Sequence, residues 1–182
     1  MSRMPCSDPA WIEIAARKIL REQPKSVLDV GVGFGMGGMV AREYGDAMFG
    51  RPAREQWTVR LDGIEAFSAY IMPHQKAIYS NIYLGDALAA LPQLGTYDLA
   101  LCIDVLEHFE REKGLELLRL IDEHAAHFLI STPEVFFPQD AACGNEAEKH
   151  RDVWTPAELA GWGTVTTCET GMSYGRLLVV EK

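Results

Sequence analysis

No stretch of this 182-residue chain carries the apolar run that spanning a bilayer demands, and its first residues do not form a signal peptide. A cytoplasmic protein without membrane insertion is therefore expected. Cysteine is scarce: Cys6, Cys102, Cys143 and Cys168 lie far apart with no CxxC pair, and Cys102 falls inside an apolar strand pattern, so reduced structural thiols are expected. Positive charge is also in short supply. Seventeen Lys and Arg face 26 Asp and Glu for a formal net charge of -9, with no Lys/Arg cluster and no RNA-binding aromatic motif, which disfavours a nucleic-acid substrate. His124 and His127 form an i, i+3 pair with no Cys or third His nearby, and a histidine at a helix C-terminus already gains from the dipole, so no metal site is expected. What is present is a 48% hydrophobic chain, enough for one domain over residues 1–182 and too short for a second.

The organising stretch is Ser26 to Val40, SVLDVGVGFGMGGMV, which reads as strand, tight turn and helix. Val27, Leu28 and Val30 suit a parallel strand covered on both faces, which loses the apolar/polar alternation. Gly31, Gly33 and Gly35 follow at once, where the missing Cβ permits positive φ and lets a ligand lie against the backbone near the N–H groups of a helix start. Two frames compete. Gly33-x-Gly35-x-x-Gly38 formally satisfies the dinucleotide fingerprint, which is weak evidence by itself. Asp29-x-Gly31-x-Gly33-x-Gly35 instead places a carboxylate at the end of the strand. That charge repels a pyrophosphate and attracts the ammonium and sulfonium of S-adenosylmethionine, so it favours the methyl donor over NAD.

Taken in order, Ser7-Asp8-Pro9 caps a helix from Ala10 to Arg21, which Pro24 ends, within an N-terminal segment, 1–25. Met36 to Tyr44 reads as helix and Gly45 to Gln56 as a polar surface loop. Trp57 to Ile64 is a second strand that delivers Glu65, where an acid can accept both hydroxyls of a ribose, and a helix runs on through Phe67 and Tyr70 to Ala77. Asn81 to Leu84 is a third strand ending in Gly85-Asp86-Ala87, where Asp86 can accept an adenine amino group, cap the following turn, or both. Tyr97 to Ile103 is a fourth strand that opens on a structural Asp98 and ends at Asp104 in the crevice. Glu110 to Glu123 is an amphipathic helix with Leu115, Leu118 and Ile121 inward. A fifth strand, His127 to Ser131, breaks at Thr132-Pro133. The polar connection from Pro133 to Trp154 then leaves its carboxyl end and hangs over the crevice as an active-site loop. Thr155 to Glu158 spells a capping box. Thr164 to Glu169 and Leu177 to Val180 pair through a Gly/Ser turn, which makes them antiparallel neighbours.

These pieces resemble the class I S-adenosylmethionine-dependent methyltransferases over nearly the whole chain, through VLDVGVGFG, GIEAF, GDA, YDLALCIDVLEHF and LISTPE in order. DVLEH is similar to the motif of the subgroup acting on small molecules, lipids and glycans. The resemblance implies a doubly wound, Rossmann-like α/β sheet of seven strands, mostly parallel, with one antiparallel strand near an edge. It implies that Asp29 and the backbone at Gly31, Gly33 and Gly35 hold the methionyl part, Glu65 and Ala66 the ribose, and Asp86 and Ala87 the adenine, with Asp104 beside the ammonium and the methyl. GNEAEKHRDVWTP also resembles a GN-x-x-E-x-H-x-x-x-W stretch of bacterial relatives, which makes Asn145, Glu148 and Trp154 candidate substrate contacts. His108 and His150 are the candidate bases, needed only if the methyl acceptor is a hydroxyl or amine. The acceptor is unspecified. The alternatives are a non-catalytic subunit that binds S-adenosylmethionine and an NAD-dependent oxidoreductase.

Overall fold

The computed structural model describes residues 7–141, 144–171 and 175–182, so Cys6 and Cys143 lie outside the described residues. Helix α1 (Ile12–Glu22) follows a single 3-10 turn whose cap is Asp8, which accepts the Ala10 N–H at 2.9 Å. The chain then alternates β1 (Ser26–Val30), α2 (Met36–Gly45), β2 (Arg60–Glu65), α3 (Pro73–Ile78), β3 (Asn81–Leu84), α4 (Ala87–Ala90), β4 (Tyr97–Ile103), α5 (Arg111–His124) and β5 (Ala125–Pro133). It closes with α6 (Pro156–Leu159), β6 (Thr164–Glu169) and β7 (Arg176–Glu181). The seven strands form one sheet in the order β3-β2-β1-β4-β5-β7-β6. β1 to β5 are parallel, and β7 lies antiparallel between β5 and β6, one place in from the edge. The doubly wound sheet with one reversed strand is therefore as expected.

Parallel strands covered on both faces explain the continuous apolar runs. Leu28, Val30, Ala100, Cys102, Phe128 and Ile130 point to the face carrying α5, whereas Val27, Leu61, Leu99, Leu101 and Leu129 point to the face carrying α1. Asp98 is structural: its carboxylate accepts the N–H groups of Lys25 and Ser26 at 2.7 and 3.0 Å, which fixes the entry to β1. Cys102 and Cys168 are free thiols. No helix among the described residues is long and apolar enough to cross a membrane.

Several expected details differ. Leu115 is exposed, and Leu117, Leu118, Leu120 and Ile121 turn inward. Four leucines in six residues offered two possible stripes, and packing on the sheet chose the later one. The helix expected from Phe67 to Ala77 is one 3-10 turn, Ser68–Tyr70, followed by α3, because Pro73 supplies no N–H and restarts the helix at its own first position. The polar loop before β2 is not merely surface. Buried Asp46 binds the guanidinium groups of Arg42 and Arg51 at 2.7 and 3.1 Å and accepts the Thr58 N–H at 2.8 Å, so the connection is nailed to the end of α2. The fifth strand, expected over His127 to Ser131, runs two residues further at each end, from Ala125 to Pro133.

Candidate active site

A cavity of about 910 Å³ opens at the carboxyl ends of β1, β2 and β4. This is where an open α/β sheet reverses its winding and leaves a crevice. Gly31, Gly33 and Gly35 all have positive φ, +85°, +48° and +88°, and the turn they form brings main chain directly to the cavity wall. Closer packing behind the turn also needs glycine. A Cβ at Gly37 would lie 2.7 and 2.8 Å from the Asp29 carboxylate oxygens, and one at Gly38 would collide with the Tyr79 ring. The late GxGxxG frame is thus met by packing: Gly38 makes room for Tyr79, whose hydroxyl accepts the Gly38 N–H at 3.1 Å and donates to Asp29.

Acidic groups dominate the wall. Asp29 is buried, and burial pushes its carboxyl up to about 7, partly offset by the Tyr79 hydroxyl. Glu65 is buried at the end of β2, with Oε2 accepting the Gly33 N–H and Oε1 the Phe67 N–H, each at 2.8 Å; burial raises its carboxyl too. Asp62, on the same strand, faces away and binds Asn81 and Tyr97 at 2.9 and 2.8 Å. Asp86 lines the cavity and caps α4 through the Leu88 N–H at 2.8 Å, so it serves the turn while still facing the crevice, next to Ala87. Ala66 lines the cavity as well.

Asp104 ends β4 in the left-handed region, φ +51°, which turns the chain sharply into the 3-10 turn Leu106–His108. Its carboxylate accepts the Ser131 hydroxyl at 2.6 Å and is also reached by the Ser7 hydroxyl and the Asp8 N–H. Burial pushes it up to about 6. The N-terminal segment therefore closes this wall of the cavity, with Ser7 and Trp11 among its lining residues.

The loop after β5 is stitched to that turn. The main-chain oxygen of Glu107 accepts the N–H groups of Arg151 and Asp152 at 2.8 and 3.3 Å, and the Arg151 guanidinium donates to the His108 carbonyl at 2.8 Å. This places the His108 and His150 rings 5.0 Å apart beside the buried Glu107. One ligand atom from each of Glu107, His108 and His150 lies within 4.8 Å of the others, a donor set and spacing that could hold a metal ion. His108 Nδ1 faces the Lys149 carbonyl at 3.3 Å and His150 Nδ1 the Phe137 carbonyl at 2.6 Å. A carbonyl only accepts, so the ring nitrogen facing it carries the proton, and the other nitrogen would be the one left for a cation; His108 is also hydrogen-bonded to the Asp104 main chain. Thr132 Oγ1 donates to Glu107 Oε2 at 3.0 Å.

The sequence pointed to no metal ligand set, since His124 and His127 have no third ligand nearby, whereas the fold joins 107–108 to a residue more than forty positions later. Burial and the neighbouring His150 push the His108 ring down to about 4, which favours its neutral form. The His150 ring is lowered by burial in the same sense.

The three candidate substrate contacts part company. Trp154 is fully buried among core side chains, stacked under the Arg111 guanidinium at 4.1 Å, and lines no part of the cavity. Its place is structural: Gly114 on α5 admits the indole edge, which a Cβ there would meet at about 2.5 Å. Asn145 lines the cavity but works inside the loop, capping the turn Glu146–Glu148 through the Ala147 N–H at 3.0 Å. Glu148 does face the cavity, on the side of Glu65 and Tyr70.

No protein-family model matches the chain. Among solved structures it is similar to a 1,6-didemethyltoxoflavin-N1-methyltransferase of Burkholderia thailandensis, with a TM-score of 0.65 and 19% identity over 96% of this chain and 78% of that one. It is similar to the methyltransferase domain of bacterial CtHen1-CN, with a TM-score of 0.59 and 16% identity over 96% and 98%. For magnesium protoporphyrin IX methyltransferase from Synechocystis with bound S-adenosylmethionine, the values are 0.60 and 16% over 93% and 76%. Among curated proteins, a small RNA 2'-O-methyltransferase of Xenopus tropicalis is 28% identical over 101 residues, 52% of this chain, and the match spans 27% of that relative's length. The fold of this chain is that of the class I S-adenosylmethionine-dependent methyltransferases.

Proposed function

We propose that this chain is an S-adenosylmethionine-dependent methyltransferase acting on a hydroxyl group, with a divalent cation held by Glu107, His108 and His150. The observation that carries the cofactor reading is the acidic lining of a glycine-walled cavity, with Asp29, Glu65 and Asp104 all strained towards their protonated forms by burial. Such a wall calls for a cationic ligand and opposes a pyrophosphate, which argues against the NAD alternative. The volume, about 910 Å³, falls at the upper end of ligand pockets, roughly 300–1,000 Å³, which suits a cofactor together with the reacting end of an acceptor.

In this reading Asp29 and the main chain at Gly31, Gly33 and Gly35 hold the amino-acid end. Glu65 and Ala66 hold the ribose, Asp86 and Ala87 the adenine, and Asp104 faces the ammonium. When bound, the cofactor supplies a methyl group already activated on sulfur, so the residues of the chain chiefly align and desolvate. Glu107, His108 and His150 would hold a divalent cation, which would supply Lewis acidity towards an acceptor hydroxyl. The carbonyls behind the two histidines keep one ring nitrogen of each protonated and so would leave the other for that cation.

For the acceptor, the DVLEH run favours a small molecule, lipid or glycan. So does the cavity, where Lys113 and Arg151 are the cationic side chains among seven carboxylates in the lining, a poor surface for a polyanion. A second reading, a ribose hydroxyl of RNA, is favoured by the Xenopus relative and the CtHen1 domain. Titration calorimetry with S-adenosylhomocysteine and NAD, followed by methyl transfer from labelled S-adenosylmethionine with and without manganese to glycans, lipids, phenols and short RNAs, tests the whole. Binding of the homocysteine product without turnover on any acceptor would favour the non-catalytic subunit, and no binding would end the methyltransferase reading.

The same titration has a pH signature. Asp29 must be ionised to pair with the ligand ammonium, and in the ligand-free chain its carboxyl is pushed up to about 7. Affinity for S-adenosylhomocysteine is expected to be flat above that pH and to fall towards about tenfold per unit below it. Stability without ligand runs the other way. Because the folded value lies above the unfolded one of 3.8, the contribution of Asp29 is present at low pH and is lost as pH rises through 7. Calorimetry and thermal unfolding at pH 6, 7 and 8 check both slopes.

A further inference from the structure

Glu65 is not the only carboxylate on the ribose side of the cavity. The loop after β5 folds the turn Glu146–Glu148 against it: Asn145 caps the turn, and Gln139 Nε2 donates to the Glu148 carbonyl at 2.8 Å. Glu148 thereby lines the same cavity as Glu65, close enough that the Glu65 charge helps to raise its carboxyl, with the Tyr70 hydroxyl donating to it. The two carboxylates differ in what they have left to offer. Both Glu65 oxygens already accept a main-chain N–H at 2.8 Å. Glu148 accepts the Tyr70 hydroxyl, and its other side-chain contacts, 3.5 Å to Asn145 and 3.5 Å to Gln139, lie at the outer limit for a hydrogen bond, so lone pairs remain for a ligand. A half-buried carboxylate with spare acceptor capacity, facing another of like charge, is costly unless a ligand with several donors fits between them.

We propose that Glu148 is a second carboxylate for the ribose diol of the cofactor. It shares the two hydroxyls with Glu65 and so ties the cofactor to the loop carrying His150. The inference rests on the S-adenosylmethionine reading above and assigns Glu148 to the cofactor rather than to the acceptor. The loop reaches the reacting side only two residues later, where His150 and the Arg151 N–H meet the turn at Glu107, so a ribose held by Glu148 fixes the spacing of both.

The test is a double-mutant cycle in which one partner is the ligand. Calorimetry compares S-adenosylhomocysteine with its 2',3'-dideoxyribosyl analogue on the unaltered chain, on Glu148→Gln and on Glu148→Ala. The Gln139 bond to the main chain of Glu148 survives both substitutions, so the turn keeps its anchor. Glu148→Ala is expected to weaken S-adenosylhomocysteine about tenfold or more, with Glu148→Gln intermediate, and to leave affinity for the dideoxy analogue unchanged. An equal loss for both ligands assigns Glu148 to loop structure alone and overturns the proposal, as does no loss for either. If the unaltered chain ignores S-adenosylhomocysteine, the cofactor reading falls and takes this inference with it; the other two outcomes remove the inference alone.

Discussion

Glu107→Gln is expected to lower methyl transfer to a hydroxyl acceptor by at least about 100-fold, a loss of the size that follows removal of a direct metal ligand or a charge-stabilising group. Affinity for S-adenosylhomocysteine should stay within about twofold, because the proposal gives the Glu107 carboxylate no contact with the cofactor and its main-chain oxygen, not its carboxylate, anchors the loop at Arg151. The amide is isosteric, and the Thr132 hydroxyl that donates to the carboxylate can turn to accept from it instead. The metal-free fold should not lose stability. Burial and the nearby Asp104 charge push the Glu107 carboxyl well up, so the substitution removes a charge the interior opposes. Manganese should raise the melting temperature of the unaltered chain and not that of the variant. Turnover within a fewfold of the unaltered chain would remove the cation from the mechanism and leave alignment as the whole of catalysis.

The second large effect is on the fold. Gly31→Ala should cost about 2–5 kcal/mol in urea unfolding, the sum of about 1–2 for a side chain in the left-handed region and about 1–3 for overpacking. Both parts can be read from the turn: φ is +85°, and a Cβ there would run into Val105 Cγ2, well inside the 3.0 Å that real Cβ contacts respect. Val105 follows Asp104, which is held by the Ser131 hydroxyl, so the side chain cannot retreat without disturbing the end of β4. Gly50→Ala is the control. Its φ is +76° but nothing lies within 4 Å of its Cβ, so only the backbone part remains, about 1–2 kcal/mol. Equal costs at the two positions would show that the close approach of β1 and β4 at the cavity floor is not what selects glycine.

The two substitutions differ in how visible their causes are before folding. Gly31 is legible because three alternating glycines after a buried strand mark a turn that needs positive φ, and Asp29 in front of them marks a carboxylate on the cavity wall. Glu65, Asp86 and Asp104 were legible for the same reason, since each ends a strand and the crevice lies at the carboxyl ends of the strands. Trp154 misled. An aromatic residue at the end of a polar loop looks like a ligand contact, yet Gly114 leaves a slot for it under α5, and no pattern in the sequence announces a slot made by a missing Cβ on another helix.

Local signals determined the strand-turn-helix units, the reversed strand near the edge and the acids at the strand ends, because hydrophobic period, glycine conformation and charge act over a few residues. The tertiary structure alone decided that His150 meets His108 and Glu107, that Glu148 lines the same cavity as Glu65, and that burial lowers the basicity of the two imidazoles. Those outcomes depend on main-chain bonds between a loop and a turn some forty residues apart, and on how much water the folded chain removes from each group. Neither quantity exists until the sheet is assembled.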